Sequence, residues 1–205
     1  MNTKEIILDV SLKLFAQNGY DGVSVRQIAK EVGVRESALY KHFKNKEDIL
    51  HCVIEECQSR IHNAYVENEV PETVMTDIAR GYRQLSKDKL FEISWNLFQL
   101  YTKDPIVANF RRLLMREQFS HSFIADLYNQ FFLKGVIQKQ SKTFAALVKG
   151  SYFEECNPEI IALQFYSPIF LLFQQYDCDP ASEEEIKKLL YAHIRKFGEH
   201  YEQKK

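Results

Sequence analysis

Apolar residues recur at intervals of three and four along most of this chain, with polar residues between them. This spacing is typical of amphipathic α-helices, since residues three and four apart share one helix face. We find no alternation with a period of two, which would predict strands. The pattern predicts an all-α protein with helices over about 3–18, 25–32, 36–43, 46–66, 71–86, 89–102, 104–120, 121–134, 142–152, 158–176 and 182–203. The segment 104–134 fits either one long helix or two.

Proline and glycine divide this helical pattern into segments. Four of the five prolines stand where predicted helices begin or end, whereas Pro168 lies inside an apolar run and predicts a kink or a break. Residues 46–50 carry no cluster of glycine, proline or serine. We therefore expect a continuous helix to join an N-terminal head, residues 1–48, to a larger body, residues 49–205.

The head has the local signals of two short helices joined by a tight turn. Ser24 and Gln27 have the spacing of a capping box at the start of a helix. Gly33 follows that helix and adopts the left-handed conformation at little cost. The apolar residues of the next helix fall on one face: Ala38, Leu39 and Phe43. The opposite face is polar and basic, as a helix-turn-helix requires of the helix that enters a major groove about 12 Å wide.

Charge is distributed unevenly along the chain. The formal net charge is −1, yet residues 34–46 contain four cationic side chains and one carboxylate. A local positive surface is what binding to the phosphate backbone requires. Asn45 has the position of an N-cap for the fourth helix, with Asp48 placed to complete the cap. The alternative is an ordinary solvated face on a helical bundle.

A longer motif in the head resembles a known family. The run Ser24 to Ala29, then Gly33-Val34, then Leu39-Tyr40-x-His42-Phe43-x-x-Lys46-Glu47 is similar to the TetR family of transcriptional regulators. The resemblance covers about residues 3–50. It implies an all-helical homodimer, a double-stranded DNA operator with two-fold symmetry, and a body controlled by a small ligand.

The resemblance also implies which residues contact DNA. The contacts to the phosphate backbone fall to Ser24, Arg26, Tyr40, His42 and Lys46. The side chains directed toward base edges are Arg35, Glu36, Ser37 and Lys41. Glu36 either accepts a hydrogen bond from a cytosine amine or repels phosphate. Lys44 either adds to the DNA surface or is a solvated charge near the helix end.

Aromatic residues are frequent in the body, and they suit either a ligand cavity or a packed core. The candidates for lining a cavity are Tyr82, Trp95, Phe98, Tyr101, Phe110, Met115, Phe119 and Phe123. Such a cavity would take an apolar or amphipathic effector. Ordinary core packing remains the alternative, because aromatic residues at helical spacing commonly fill cores.

The last two predicted helices carry wide apolar stripes, which can serve the core and a partner together. The candidates for a dimer interface are Phe165, Ile169, Phe173, Leu190, Ile194 and Phe197. The resemblance implies that two such helix pairs form a four-helix interface. A two-fold interface also matches a two-fold operator.

Other classes of function receive little support from the residues. Cys52 and Cys57 lie about 140° apart on a helix, and no cysteine pair has metal-ligand spacing, so we expect neither a metal nor a cofactor. No segment reaches the roughly 18 apolar residues of a membrane span, and no signal core is seen, so a cytoplasmic protein is expected. We see no catalytic constellation.

Two alternatives to a ligand-controlled repressor stay open. One is a regulator or activator that is controlled by a partner or by no ligand. The other is an enzyme or carrier that uses a cavity in the body.

Overall fold

The computed structural model describes residues 3–68, 70 and 75–203. Within these residues the secondary structure is helical, apart from one isolated bridge between Phe153 and Glu202. The predicted all-α class is confirmed. The helices are α1 (Thr3–Asn18), α2 (Val25–Val32), α3 (Glu36–Leu39), α4 (Lys46–Glu67), α5 (Met75–Gln84), α6 (Lys87–Lys103), α7 (Pro105–Glu117), α8 (Ser122–Phe132), α9 (Lys134–Lys149), α10 (Pro158–Cys178) and α11 (Glu183–Tyr201).

Most helix boundaries agree with the pattern of the sequence, and the open question about residues 104–134 is answered by two helices, α7 and α8. At Pro168, where a kink or a break is predicted, the break is wrong because α10 runs through the proline. Directly before the proline, the Ser167 hydroxyl donates to the Leu163 carbonyl at 2.7 Å. The predicted start of the fifth helix at residue 71 lies outside the described residues.

Helix α9 differs most from its predicted range of 142–152. It begins eight residues earlier, at Lys134, and ends at Lys149. The early start is stabilised by packing, because Val136 and Ile137 lie against the hydrophobic core around Trp95. The end is set by Gly150, whose N–H bonds to the Ala146 carbonyl, and by Ser151, whose φ is 53°.

The chain forms two compact units, each built from two segments. The first comprises Met1–Ala64 and Lys103–Asn129, and the second comprises Tyr65–Thr102 and Gln130–Lys205. This division differs from the predicted boundary between residues 48 and 49, because α7 and most of α8 join the head in the first unit. As a division of function, that boundary remains a prediction.

In the first unit, α1 packs against α2 and α7. Its core consists of side chains that are almost fully buried, among them Leu12, Phe15, Ile28, Leu39, Val53, Phe110 and Leu113. Burying one such side chain contributes about 1.5–3 kcal/mol relative to leaving it in water. This core fixes the orientation of α2 and α3.

The second unit is centred on α10, which packs against α9 and α11. Two hydrophobic clusters lie among its described residues. One surrounds Trp95, Phe98, Phe173 and Leu190. The other surrounds Phe144, Phe153, Ile161 and Tyr201.

Candidate DNA-binding surface

Helix α2 begins with the predicted capping box. Gln27 N–H donates to Ser24 Oγ at 3.2 Å, and Ser24 N–H donates to Gln27 Oε1 at 2.7 Å. The two residues therefore satisfy two backbone donors that the first turn leaves without helical partners. The Ser24 hydroxyl also lies 2.9 Å from Gln27 Oε1, so its proton is engaged within the cap.

The turn after α2 depends on Gly33. Its φ is +79°, in the left-handed region. The Val34 N–H reaches back to the Ala29 carbonyl at 2.9 Å, which closes the end of α2. No heavy atom lies within 4 Å of a Cβ built at Gly33, so the position requires glycine for its backbone angle and not for space.

Helix α3 is shorter than the predicted range of 36–43. Regular α-helix covers Glu36–Leu39, and the chain then continues in hydrogen-bonded turns to Phe43. The His42 N–H bonds to the Leu39 carbonyl at 2.9 Å, a three-residue interval that tightens the last turn. The chain therefore presents about one helical turn followed by a tighter one, instead of a regular helix of eight residues.

The outward face of α3 is polar and its inward face is buried, as the pattern of the sequence predicts. Leu39 and Phe43 are 1% and 3% exposed, whereas Tyr40 is 54% exposed. Nine of the ten candidate DNA contacts are exposed: Ser24, Arg26, Arg35, Glu36, Ser37, Tyr40, Lys41, His42 and Lys44. Their side chains are accessible to a duplex.

Glu36 has a neighbour within the head. Its carboxylate lies 4.0 Å from Arg26 Nε, and both side chains are largely exposed. An exposed pair of this kind contributes at most about 1 kcal/mol to stability. The main effect of Glu36 is therefore electrostatic, because its negative charge offsets the positive charge of Arg26 on this surface.

The start of α4 is capped by two side chains. Asp48 N–H donates to Asn45 Oδ1, and Lys44 N–H donates to Asp48 Oδ2, both at 2.8 Å. The expected cap is present, although the Asp48 carboxylate accepts from Lys44 and not from Asn45.

Lys46, the tenth candidate, is half-buried in the first turn of α4. Its Nζ donates to the Tyr20 carbonyl at 2.9 Å and lies 4.2 Å from the centroid of the Tyr20 ring. Sequence reasoning missed Tyr20, which is 26 residues away and has no motif that marks this contact.

The candidate pocket residues are divided between the two units. Trp95 and Phe98 pack in one cluster of the second unit with Tyr101 against it, and Tyr82 packs against the other cluster. The remaining four belong to the first unit. There Phe110 is fully buried, whereas Phe119 is 90% exposed and Phe123 is 45% exposed. Most of the eight fill cores and two face solvent, and their assignment to a ligand pocket stays a prediction.

The first unit has a small surface pocket elsewhere. Its volume is about 210 Å³, and it is lined by Tyr20, Glu47, Leu50, His121, Phe123 and Ile124. Phe123 is the one pocket candidate that contributes to it. Its volume is below the roughly 300–1,000 Å³ of typical ligand sites.

The candidate interface residues on α10 and α11 face inward. Phe173, Leu190 and Ile194 are buried in the cluster around Trp95. Phe165, Ile169 and Phe197 are half-buried and pack against the clusters of the second unit. Their assignment to a dimer interface stays a prediction, since the three half-buried residues keep part of their surface exposed. The large exposed apolar residues of this helix pair are Ile160, Leu163, Leu171 and Leu189.

Comparison with known proteins identifies the family of the head. Residues 7–53 match the family model for bacterial regulatory proteins of the tetR family. The chain is 39% identical over 54 residues to the negative transcriptional regulator IcaR of the biofilm operon icaADBC in Staphylococcus epidermidis. It is 44% identical over 59 residues to the transcriptional regulator AcrR of Shigella flexneri. The head therefore resembles the N-terminal part of regulators of the tetR family.

The similarity to TetR-family relatives is strongest in the head. The alignments cover 26% and 29% of this chain, and they span 29% of IcaR and 27% of AcrR. With IcaR of Staphylococcus aureus, 22% identity extends over 84% of this chain and 81% of the relative.

The fold resembles that of solved structures over nearly the whole chain. A solved structure of SmeT in complex with triclosan has a TM-score of 0.73 and 15% identity, covering 99% of this chain and 93% of SmeT. A second SmeT structure describes that protein as the repressor of the multidrug efflux pump SmeDEF of Stenotrophomonas maltophilia.

Three further features of the described residues concern membranes, metal ions and cysteine chemistry. None of the described helices is long and apolar enough to cross a membrane. The described part of the chain also contains no group of three histidine, cysteine or acidic residues arranged to hold a metal ion. Burial raises the pKa of the Cys57 thiol to about 12, so this cysteine remains protonated in the core.

Proposed function

We propose that this protein is a sequence-specific DNA-binding transcriptional repressor of the TetR family that acts as a homodimer. The observation that carries the proposal is the outward surface of α3. It presents cationic and hydrogen-bonding side chains, while Leu39 and Phe43 anchor it in the core. The repressor role is supported by the relatives IcaR and SmeT, which are described as a negative regulator and a repressor.

Within this surface we assign two kinds of DNA contact. Tyr40, His42 and Lys46 bind phosphates, which gives affinity without sequence preference. Arg35 and Lys41 reach base edges in the major groove, which gives specificity. Lys46 retains donors for phosphate, because an ammonium has three N–H groups and the Tyr20 carbonyl accepts from one.

Salt-dependent binding by matched variants tests these assignments. Lys46→Ala should weaken binding to all duplexes equally and lower the salt slope by about 1, whereas Lys41→Ala should also change sequence preference at a cost of about 1–3 kcal/mol. Fluorescence anisotropy with labelled duplexes measures both. Lys13→Ala, which removes an exposed charge from α1, is the control. A Lys46→Ala variant with the wild-type salt slope would contradict the phosphate contact.

For the dimer, we propose that α10 and α11 meet the same pair of a second copy through their exposed apolar residues. Ile160, Leu163 and Leu171 are 45%, 49% and 66% exposed on α10, and Leu189 is 46% exposed on α11. Four such residues on neighbouring helices form the apolar surface that an isologous interface uses.

We propose further that the effector is an apolar or amphipathic small molecule that enters the aromatic cluster of the second unit. The support is the SmeT structure, which contains triclosan. In this chain the Trp95 and Phe98 rings stack with centroids 5.4 Å apart, and Phe98 stacks on Phe173 at 5.2 Å. An entering ligand must separate these rings, since they are already in contact.

Trp95 is the single tryptophan of the chain, so its fluorescence reports on the cluster directly. Titration with triclosan should change the Trp95 emission and release labelled operator over the same concentration range. Unchanged emission and unchanged operator binding up to the solubility of triclosan would contradict this site. Emission that changes without release would contradict the coupling to DNA.

A further inference from the structure

Helix α1 carries a lysine at the start of the face that packs in the core of the first unit. Lys4, Leu8, Ser11 and Phe15 follow one another at intervals of four, three and four, so they share one face of the helix. Leu8 is 7% exposed, and Ser11 and Phe15 are fully buried. Lys4 is exposed, so this buried row leaves the core at a cation.

The Lys4 side chain lies against the end of the helix-turn-helix. Its Nζ is 5.8 Å from the centroid of the Phe43 ring, and the His42 ring lies 6.4 Å from the same ring. Phe43 is 3% exposed, whereas its chain neighbours His42 and Lys44 are exposed. A lysine can lay its apolar stem on buried surface and keep its ammonium in water. Lys4 and His42 therefore border one buried ring at the edge of the candidate DNA contacts.

The Lys4 ammonium is also close to the start of α4. Burial raises the pKa of the Cys52 thiol in the second turn of α4, and the charge of Lys4 opposes that rise. The carboxylates of Asp48 and Glu55 act on the same thiol in the opposite sense to Lys4. The ammonium thus lies near both the end of the helix-turn-helix and the first two turns of α4.

The packing of α1 fixes where Lys4 emerges. Ile7 and Leu12 are fully buried, and α1 packs against α2 and α7. Within the described part of the chain, no oxygen accepts a hydrogen bond from Lys4, whereas Lys46 donates to the Tyr20 carbonyl. An ammonium has three N–H donors. Those of Lys4 are therefore available to an acceptor outside the protein.

We propose that Lys4 binds a phosphate of the DNA backbone and extends the DNA-binding surface from α3 onto the first turn of α1. The proposal rests on the proposed function, because it requires the helix that begins after Arg35 to lie against a duplex. The acceptor is a phosphate because Lys4 belongs to α1, outside the helix that reaches base edges, and a lysine binds phosphate as a point charge. No motif marks Lys4, since its partner Phe43 is distant along the chain.

Salt-dependent DNA binding of the full chain tests the contact. Lys4→Met keeps an unbranched apolar stem on Phe43 and removes the charge, whereas Lys4→Arg keeps the charge. Fluorescence anisotropy with the duplex selected from a random pool and with a scrambled duplex gives Kd between 50 and 200 mM salt, where phosphate contacts dominate the change in affinity.

The two variants should differ in their salt slopes. Lys4→Met should lower the slope by about 1 for each bound subunit. It should also raise Kd for both duplexes by the same factor, because phosphate contacts carry no sequence information. Lys4→Arg should keep the wild-type slope.

The matched control is a lysine on the opposite side of the same helix. Lys13 is exposed and comes nine residues after Lys4, which places it about 180° away around α1. Lys13→Met should leave the affinity and the salt slope unchanged. Thermal unfolding of each variant checks the fold, and Lys4→Gln, a second neutral variant, should reproduce the lower slope of Lys4→Met.

The outcomes distinguish this contact from the proposed function. If the wild-type protein binds neither duplex at low salt, the proposed function fails. If it binds both, and Lys46→Ala lowers the salt slope while Lys4→Met and Lys4→Gln keep the wild-type slope, the Lys4 contact is overturned and the proposed function stands. A weaker affinity of the two Lys4 variants at an unchanged slope also overturns it, because altered packing on Phe43 then explains the loss.

Discussion

Glu36 is a carboxylate on a surface where we propose that phosphates bind. It lies 4.0 Å from Arg26 Nε, and both groups are exposed. In the free protein it therefore offsets one positive charge, whereas on DNA it is either paired with a cytosine amine or repelled by phosphate. The two roles differ in their effect on specificity.

The variant Glu36→Gln separates the two roles. We expect binding to non-specific duplex to tighten, because a negative charge is removed beside the phosphates, with little change in stability. If Glu36 reads a cytosine, operator binding weakens at the same time and the preference at one base pair relaxes. Anisotropy with operator and with scrambled duplex measures both, with Glu31→Gln on α2 as the control. Unchanged binding to scrambled duplex would contradict the charge effect.

At the residue scale, sequence reasoning located the DNA surface but not its supports. Leu39 and Phe43 are marked by their helical spacing, and Ser24 and Gln27 by a cap, because both signals are local. The contact of Lys46 with Tyr20 and of Lys4 with Phe43 depends on how distant segments meet, which no local spacing encodes.

At the scale of elements, the turn between α2 and α3 depends on one backbone angle. Gly33 has a φ of +79° and open space at its Cβ position. Gly33→Ala should therefore lower the free energy of unfolding by about 1 kcal/mol, the cost of the left-handed region for a residue with a Cβ. Chemical denaturation measures this cost. Gly33→Asn should cost less, because asparagine tolerates that region, and an equal or larger loss in Gly33→Asn would contradict the explanation.

The presence of most helices was predictable from the sequence, whereas some of their ends were not. The local caps at Ser24 and Asn45 set two starts correctly. The start of α9 was missed because packing of Val136 and Ile137 stabilises a segment with weak helical signals. In α10, Pro168 did not break the helix, since the surrounding packing outweighs a local preference.

At the scale of the whole molecule, the sequence did not show which sides of α10 and α11 pack in the core and which are exposed. Both helices are apolar on more than one side, so spacing alone does not decide which side faces the core of the same chain. The structure places Phe173 and Leu190 inside and Leu163 and Leu171 outside. Spacing leaves the candidate cavity undecided for the same reason, because aromatic residues have the same spacing in a core as around a ligand.

The proposed dimer makes a clear prediction for the exposed residues. Leu163→Glu combined with Leu171→Glu should yield a folded monomer, since it places two carboxylates in the apolar interface. Leu190→Ala should instead leave the dimer intact and cost about 2–5 kcal/mol of stability, as for other buried leucines. Sedimentation and denaturation measure the two effects. Val66→Glu, at a 61% exposed site on α4, is the control. A dimer that survives both glutamates would contradict the interface.

The central claim is that the short helix beginning after Arg35 lies against a DNA duplex in two copies. Selection of bound sequences from a random duplex pool tests it most directly, using the wild-type protein and the Lys41→Ala variant. The account predicts an inverted repeat whose half-sites are one helical turn apart or multiples of it, with Lys41→Ala relaxing the same position in both halves. A protein that selects no sequence, or a consensus that is asymmetric and unaffected by Lys41→Ala, would contradict it.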